Sequence, residues 1–117
     1  RDYAAFVLEM MNPDRGASHS ISADSLRWML TPLSPPTEKE PLTRRYSKGV
    51  ENVRFGLGWA VETTASGVRI RHSGVNGTGF RSHCEFDPVQ GHGLIIMTNG
   101  SSGEKFWHDL VRRIGIP

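Results

Sequence analysis

Residues 71–82 carry the side chains best suited to chemistry. His72 and Ser73 bring an imidazole and a hydroxyl together, and three glycines follow within six residues. Glycine permits backbone geometries closed to other residues and lets a ligand approach the chain closely. The glycine order is G-x-x-G-x-G, which is not the dinucleotide-binding G-x-G-x-x-G, and no phosphate-loop Gly-Lys-Ser is present. A glycine-rich hairpin without a catalytic role is the alternative interpretation.

A second candidate is a serine and a lysine at S-x-x-K spacing, Ser102 and Lys105. This spacing can join a nucleophilic hydroxyl to a base. Ser101 and Glu104 also have the spacing of a capping box, which satisfies the first amides of a helix. The segment is therefore predicted to begin the last helix.

Metal chemistry finds little support in the five histidines and the single Cys84. No pair of them has the His-x-x-x-His or Cys-x-x-Cys spacing of a strong metal motif. His83 alternates with Cys84 and Phe86 along a predicted strand, so we expect it to face the surface or a neighbouring hairpin. Neither a metal nor a cofactor is expected.

Several segments, in order, resemble the family of serine β-lactamases, D-alanyl-D-alanine peptidases and related esterases. His72-Ser73-Gly74 is similar to the H-x-G form of that family's basic-x-glycine motif, which lies on the strand lining the active site. Residues 55–59, Phe-Gly-Leu-Gly-Trp, resemble the G-x-G-W strand ahead of that motif. The segments 79–82, 86–88 and 97–100 resemble those that follow it.

The resemblance implies roles for four residues. His72 would be the basic group that faces the substrate, and Ser73 and Gly74 would help to bind it. The backbone N–H of Val75 would contribute to an oxyanion hole, which stabilises charge on the attacked carbonyl oxygen. The implied reaction passes through an acyl-serine on a small β-lactam, D-Ala peptide or ester, without a cofactor.

The family's nucleophile motif does not precede His72, and Tyr46-Ser47-Lys48 is not the family's Y-x-N. We therefore expect residues 1–117 to be the C-terminal portion of one hydrolase domain, inactive alone and partnered by a missing N-terminal part. The alternative is a non-catalytic module that binds a partner through its sheet edge. An uncovered edge also predicts self-association.

Two helices are predicted before the motif. Apolar residues at helical spacing predict the first, which Asn12-Pro13-Asp14 ends. The second helix is predicted to have Ser22 as its N-cap. It is predicted to end near Thr31, because Pro32 disfavours helical geometry in the residue before it. Four prolines make residues 31–49 an irregular connection. The first helical face comprises Tyr3, Phe6, Val7, Met10 and Met11, and Ile21 and Leu26 have the spacing of a hydrophobic staple across the second N-cap.

Four strands are predicted after this connection. Residues 55–62 alternate bulky with small side chains, so one bare face would let another backbone approach. A turn is predicted at residues 63–67, and further strands are predicted at 68–73, 80–86 and 94–98. Because the connections between these strands are short, they favour an antiparallel meander. The fold class is therefore α+β, an α/β sandwich with helices packed on the sheet. The final helix has a predicted apolar face of Phe106, Trp107, Leu110, Val111 and Ile114.

Composition adds bounds on partners. A net charge of +2 with arginines in scattered pairs gives no basic stripe, so nucleic acid is not an expected partner. No apolar run approaches the roughly 20 residues of a membrane span. One cysteine rules out an internal disulfide and leaves the cellular compartment open.

Overall fold

A computed structural model describes residues 1–11, 20–36 and 50–114. Predictions that concern residues 12–19, most of the 31–49 connection and residues 115–117 lie outside these ranges. The helices are α1 (Asp2–Met10), α2 (Ala23–Leu30) and α3 (Gly103–Ile114). The strands are β1 (Val50–Phe55), β2 (Ala60–Thr64), β3 (Gly67–Val75), β4 (Arg81–Asp87) and β5 (His92–Thr98).

The strands form one antiparallel sheet in chain order, β1-β2-β3-β4-β5. Short connections leave room only for antiparallel neighbours. The β4–β5 turn is made by Asp87, whose Oδ1 accepts hydrogen bonds from the amides of Val89 and Gln90 at 2.7 and 2.8 Å. Gly91 closes it at φ +75°, a conformation that favours glycine. The predicted α+β meander is confirmed.

Helices α1 and α2 cover one face of the sheet. Ser22 caps α2 as predicted, because its hydroxyl accepts a hydrogen bond from the Ser25 amide at 3.1 Å. The helix ends before Thr31, which is extended and precedes Pro32. The core on this face comprises Val7, Met10, Met11, Leu26, Trp59, Val61, Ile70, Cys84 and Phe86.

Helix α3 covers the opposite face at β4 and β5, so this part of the sheet has helices on both sides. Trp107 and Val111 pack on Ile96 of β5. The predicted apolar face of this helix is wrong at its margins, since the side chains of Phe106 and Ile114 are 57% and 56% exposed. No helix within the described ranges is long and apolar enough to cross a membrane.

The strand predicted at residues 55–62 is interrupted by a turn at residues 56–59, which separates the end of β1 from the start of β2. The amide of Gly56 bonds the carbonyl of Trp59 at 2.9 Å, and Gly58 has φ +81°. The sheet therefore has five strands rather than four. The turn requires glycines at positions 56 and 58, and bulky residues lie on either side of them. This spacing imitates the two-residue period of a strand, which is why the sequence predicted one.

The predicted close approach of another backbone does occur at Gly56. A Cβ there would lie 2.2 Å from the carbonyl oxygen of Met29, near the end of α2. The Leu57 amide donates to that same oxygen at 3.1 Å. Glycine thus allows α2 to pack against the β1–β2 turn.

Candidate active site

The H-x-G segment occupies the last part of β3, where the strand has an open edge. The β2–β3 register ends at the pair of Ala60 and Arg71. Residues 72–75 pair with β4 on one side, and no strand in the described ranges pairs with their other side. As far as the described residues go, this edge is open to a ligand or another chain segment.

His72 is exposed on this edge and is held by the β1–β2 turn. Its Nδ1 lies 2.8 Å from the carbonyl oxygen of Gly58, and its ring lies edge-on to Trp59 with centroids 6.0 Å apart. A carbonyl oxygen only accepts, so Nδ1 carries the hydrogen and Nε2 of the neutral ring keeps a lone pair. The Gly-Trp of residues 58–59 therefore orients the histidine, leaving Nε2 able to take a proton.

A cavity of about 330 Å³ lies beside this edge, within the size range of small-molecule sites. It brings together two of the four predicted site residues, His72 and Ser73. Gly74 and Val75 follow along the same strand but do not line the cavity. The lining residues are Phe55, Gly56, Gly58, Trp59, Ala60, Arg71, His72 and Ser73.

Gly74 and Val75 differ in their surroundings. A Cβ on Gly74 would lie 2.6 Å from the hydroxyl of Ser82, so glycine admits that side chain from β4. The Val75 side chain is 60% exposed at the end of β3. Its oxyanion role concerns the backbone N–H and stays a prediction.

Ser73 joins a buried polar chain that the sequence did not reveal. Its Oγ lies 2.8 Å from Nδ1 of His83, and Nε2 of His83 lies 3.0 Å from Oε2 of Glu85. His83 is 3% exposed, so the surface alternative for it is wrong, whereas its contact with Ser73 of the paired strand agrees with the hairpin alternative. The error arose because α3 covers this face, stacking Trp107 on the His83 ring with centroids 4.2 Å apart. Two sequence features together could have indicated this burial. Alternation along β4 places His83 on one face of the sheet, and the apolar face of the last helix needs a sheet face to pack on.

Glu62 is a second buried group that sequence reasoning missed. Its carboxylate is fully buried and forms an ion pair with Nε of Arg71, with Arg69 at 4.0 Å. A buried carboxylate is tolerated when it is paired. Since Arg71 lines the cavity, Glu62 fixes the position of that charged wall from behind.

Burial shifts the pKa values of two further titratable side chains, Cys84 and His108. Burial raises the pKa of the Cys84 thiol to about 11; a hydrogen bond with Tyr3 opposes the rise, and the charge of Glu85 adds to it. Burial likewise lowers the pKa of His108, against the effect of its contact with Glu104. Cys84 is therefore unsuited to act as a nucleophile.

The S-x-x-K segment begins α3, as predicted. The Phe106 amide donates to the Ser102 carbonyl at 3.1 Å, and the helix starts at Gly103. Among the described residues, no group of three or more histidine, cysteine or acidic side chains could hold a metal ion. The histidine and serine of the H-x-G segment thus remain the candidates for chemistry.

The Beta-lactamase family model matches residues 1–115 of the chain. This span includes every described helix and strand and all the residues that line the cavity. No curated protein and no solved structure matches the chain.

Proposed function

Since the chain belongs to the β-lactamase family, we propose that it forms the C-terminal part of a serine hydrolase that works through an acyl-serine intermediate. The observation that carries this proposal is the cavity at the open edge of β3, which His72 and Ser73 line together. An open strand edge offers backbone groups to an extended substrate. The substrate class would be a β-lactam, a D-Ala peptide or a small ester.

In this proposal His72 serves as the basic group through Nε2, because Gly58 engages Nδ1. Proton transfer by a positioned histidine is worth about 10²–10⁴ in rate. Ser73 and Gly74 bind the substrate along the strand, and the Val75 N–H contributes to the oxyanion hole. Every one of these roles lies on one edge of one strand, which explains their close spacing in the sequence.

The nucleophile would come from sequence outside this chain. The only S-x-x-K here, at residues 102–105, begins α3, which packs on the sheet face opposite α1 and α2. The chain would then supply one wall of the active site, and the remaining wall would meet the open edge of β3.

A non-catalytic module is the second candidate, because an open edge can also accept a strand from a partner. Exposed apolar side chains near the edge favour an occupant, with Leu57 53% and Phe80 56% exposed. The two candidates differ in what occupies the edge. Only the hydrolase requires His72.

The test is the variant His72→Ala in the whole protein, including the sequence upstream of Arg1. The kcat/KM for a p-nitrophenyl ester or a chromogenic cephalosporin is expected to fall by about 100-fold or more, since a proton-transfer group is lost. His92→Ala on β5 is the matched control, because His92 does not line the cavity. An unchanged kcat/KM for His72→Ala would leave the module as the better interpretation.

A further inference from the structure

The turn between β1 and β2 is held at three successive residues. The amide of Leu57 donates to the Met29 carbonyl near the end of α2, at 3.1 Å. The carbonyl oxygen of Gly58 accepts a hydrogen bond from Nδ1 of His72 at 2.8 Å. Trp59 is 5% exposed and belongs to the core that α1 and α2 cover. The orientation of His72 therefore depends on a carbonyl whose two neighbouring residues are both anchored to the layer of helices.

Four rings form a row that leads from α1 to this histidine. Phe6 stacks on Trp59 with centroids 6.3 Å apart and planes within 22°, and Trp59 lies edge-on to His72 at 6.0 Å. Tyr3, one helical turn before Phe6, stacks on Phe6 at 6.1 Å. All three spacings lie within the range of about 4.5–7 Å over which ring pairs attract. The row joins the first helix to the H-x-G segment.

Phe6 holds Trp59 in a way that its other aromatic neighbour does not. Phe86 also meets the Trp59 ring edge-on, at 5.3 Å, but it is fully buried on β4 and so belongs to the same sheet as His72. Phe6 lies half-buried on a helix that packs on that sheet. Its contact therefore ties the ring of Trp59 to a separate layer of the protein.

The imidazole of His72 needs more than one contact to keep one orientation. The side chain is exposed, and exposed side chains change rotamer within picoseconds to nanoseconds. A single hydrogen bond that competes with water contributes little to fixing it. The Trp59 ring adds a second contact, which limits the space on one side of the imidazole.

We propose that Phe6 is a positioning residue for His72. By stacking on Trp59, it keeps that ring and the adjoining Gly58 carbonyl where they orient the imidazole for proton transfer. The inference rests on the proposed function, in which His72 is the basic group. It gives α1 a part in the reaction although no described residue of α1 lines the cavity. Orientation matters because a small misplacement of a reacting group is costly in rate.

The first test is Phe6→Leu in the whole protein. Leucine keeps an apolar side chain in the core but removes the ring. The stack can bias the orientation of His72 by no more than the worth of one ring pair, so kcat for a p-nitrophenyl ester is expected to fall roughly two- to tenfold. KM should change little, because proton transfer acts in the transition state rather than in substrate binding. Phe6→Tyr keeps the ring and should retain most of kcat.

Phe106→Leu is the matched control. It makes the same chemical change on a helix, but on α3, where the side chain is 57% exposed on the opposite face of the sheet. It should leave kcat unchanged. All variants are assayed below the temperature at which the less stable of them begins to unfold. Equal losses of kcat in Phe6→Leu and Phe106→Leu would contradict the assignment.

A second readout does not depend on catalysis. In Phe6→Leu the Cδ2–H and Cε1–H resonances of the His72 ring are expected to move toward their values in an unfolded chain, with χ1 couplings nearer to those of mixed rotamers. A merely structural role for Phe6 would lower the unfolding midpoint but leave these signals of the folded protein in place. Phe6→Tyr and Phe106→Leu should keep the wild-type signals. Unchanged His72 resonances in Phe6→Leu would overturn the inference.

The two proposals fail separately. If His72→Ala abolishes turnover while Phe6→Leu changes neither kcat nor the His72 resonances, the hydrolase stands and the role of Phe6 fails. If His72→Ala leaves kcat/KM unchanged, the proposed function fails, and the resonances alone decide whether Phe6 positions the ring. Moved resonances with an unchanged kcat in an enzyme that needs His72 would exclude a part for Phe6 in proton transfer.

Discussion

Replacing Gly56 by alanine is expected to destabilise the protein by separating α2 from the β1–β2 turn. The new Cβ would lie 2.2 Å from the Met29 carbonyl oxygen, so the backbones must part by at least about 1.2 Å to reach ordinary contact. Overpacking of this kind costs about 1–3 kcal/mol. The Leu57–Met29 hydrogen bond at 3.1 Å would weaken as well, adding about 1 kcal/mol.

The expected loss in the free energy of unfolding is thus about 2–4 kcal/mol, measured by urea titration followed by circular dichroism. Gly77→Ala is the matched control, because nothing lies within 4 Å of a Cβ at Gly77 and its φ is not positive. Alanine there should be neutral or stabilise the protein by up to about 1 kcal/mol. Equal stabilities for the two variants would refute the packing argument.

The same variant should disturb the proposed active site. Gly58, two residues along the turn, holds Nδ1 of His72 through its carbonyl. Moving the turn away from α2 would weaken that hold. If His72 acts as proposed, hydrolysis of a p-nitrophenyl ester by the whole protein should therefore fall in Gly56→Ala at temperatures where the protein is still folded.

Three further predictions concern other parts of the chain. Expressed alone, the chain should elute as self-associated species in size-exclusion chromatography and take no fluorophosphonate label; stoichiometric labelling of Ser102 would contradict this. In the whole protein Val75→Pro should lower acylation about 10²–10³-fold, the cost of one oxyanion donor, while Val75→Ala, which keeps the N–H, should have a mild effect; a fully active proline variant would exclude the role. Burial raises the pKa of Cys84 from 9.0 to about 11 and that of Tyr3 from 10.0 to about 12. Because both folded values exceed the unfolded ones, this contribution to stability is intact below pH 9 and declines as pH rises toward 12, which urea titrations across that range would detect; a flat profile would contradict it.

Local signals made much of the fold predictable. The Ser22 cap, the proline after Thr31 and the Asp87 turn each act through neighbouring residues, so their effects can be read along the chain. The split of residues 55–62 could not be predicted from alternation, because glycine satisfies a two-residue period and a tight turn equally well.

Two residues that line the cavity could be chosen from the order of residues along one strand, whereas contacts made by packing between distant segments could not be predicted. His72 and Ser73 follow from a motif on one strand, and both line the cavity. The bonds from Ser73 through His83 to Glu85 cross between strands under a helix that follows later in the chain. Alternation told which residues share a face, but it could not tell that α3 would bury that face.

The buried pair of Glu62 and Arg71 bears on how this cavity can change over evolutionary time. Arg71 lines the cavity, whereas Glu62 behind it is fully buried. Removing one member of a buried ion pair typically costs about 3–5 kcal/mol, a large part of the stability of a small protein. A relative with a neutral side chain at position 71 would leave Glu62 with the more distant Arg69, at 4.0 Å, and is therefore expected to have lost the carboxylate at position 62 more often than relatives that keep Arg71. The charge of the pocket would then change by paired substitutions at positions 71 and 62. Past changes in ligand preference would be visible as covariation between position 71, which lines the cavity, and position 62, which is buried behind it.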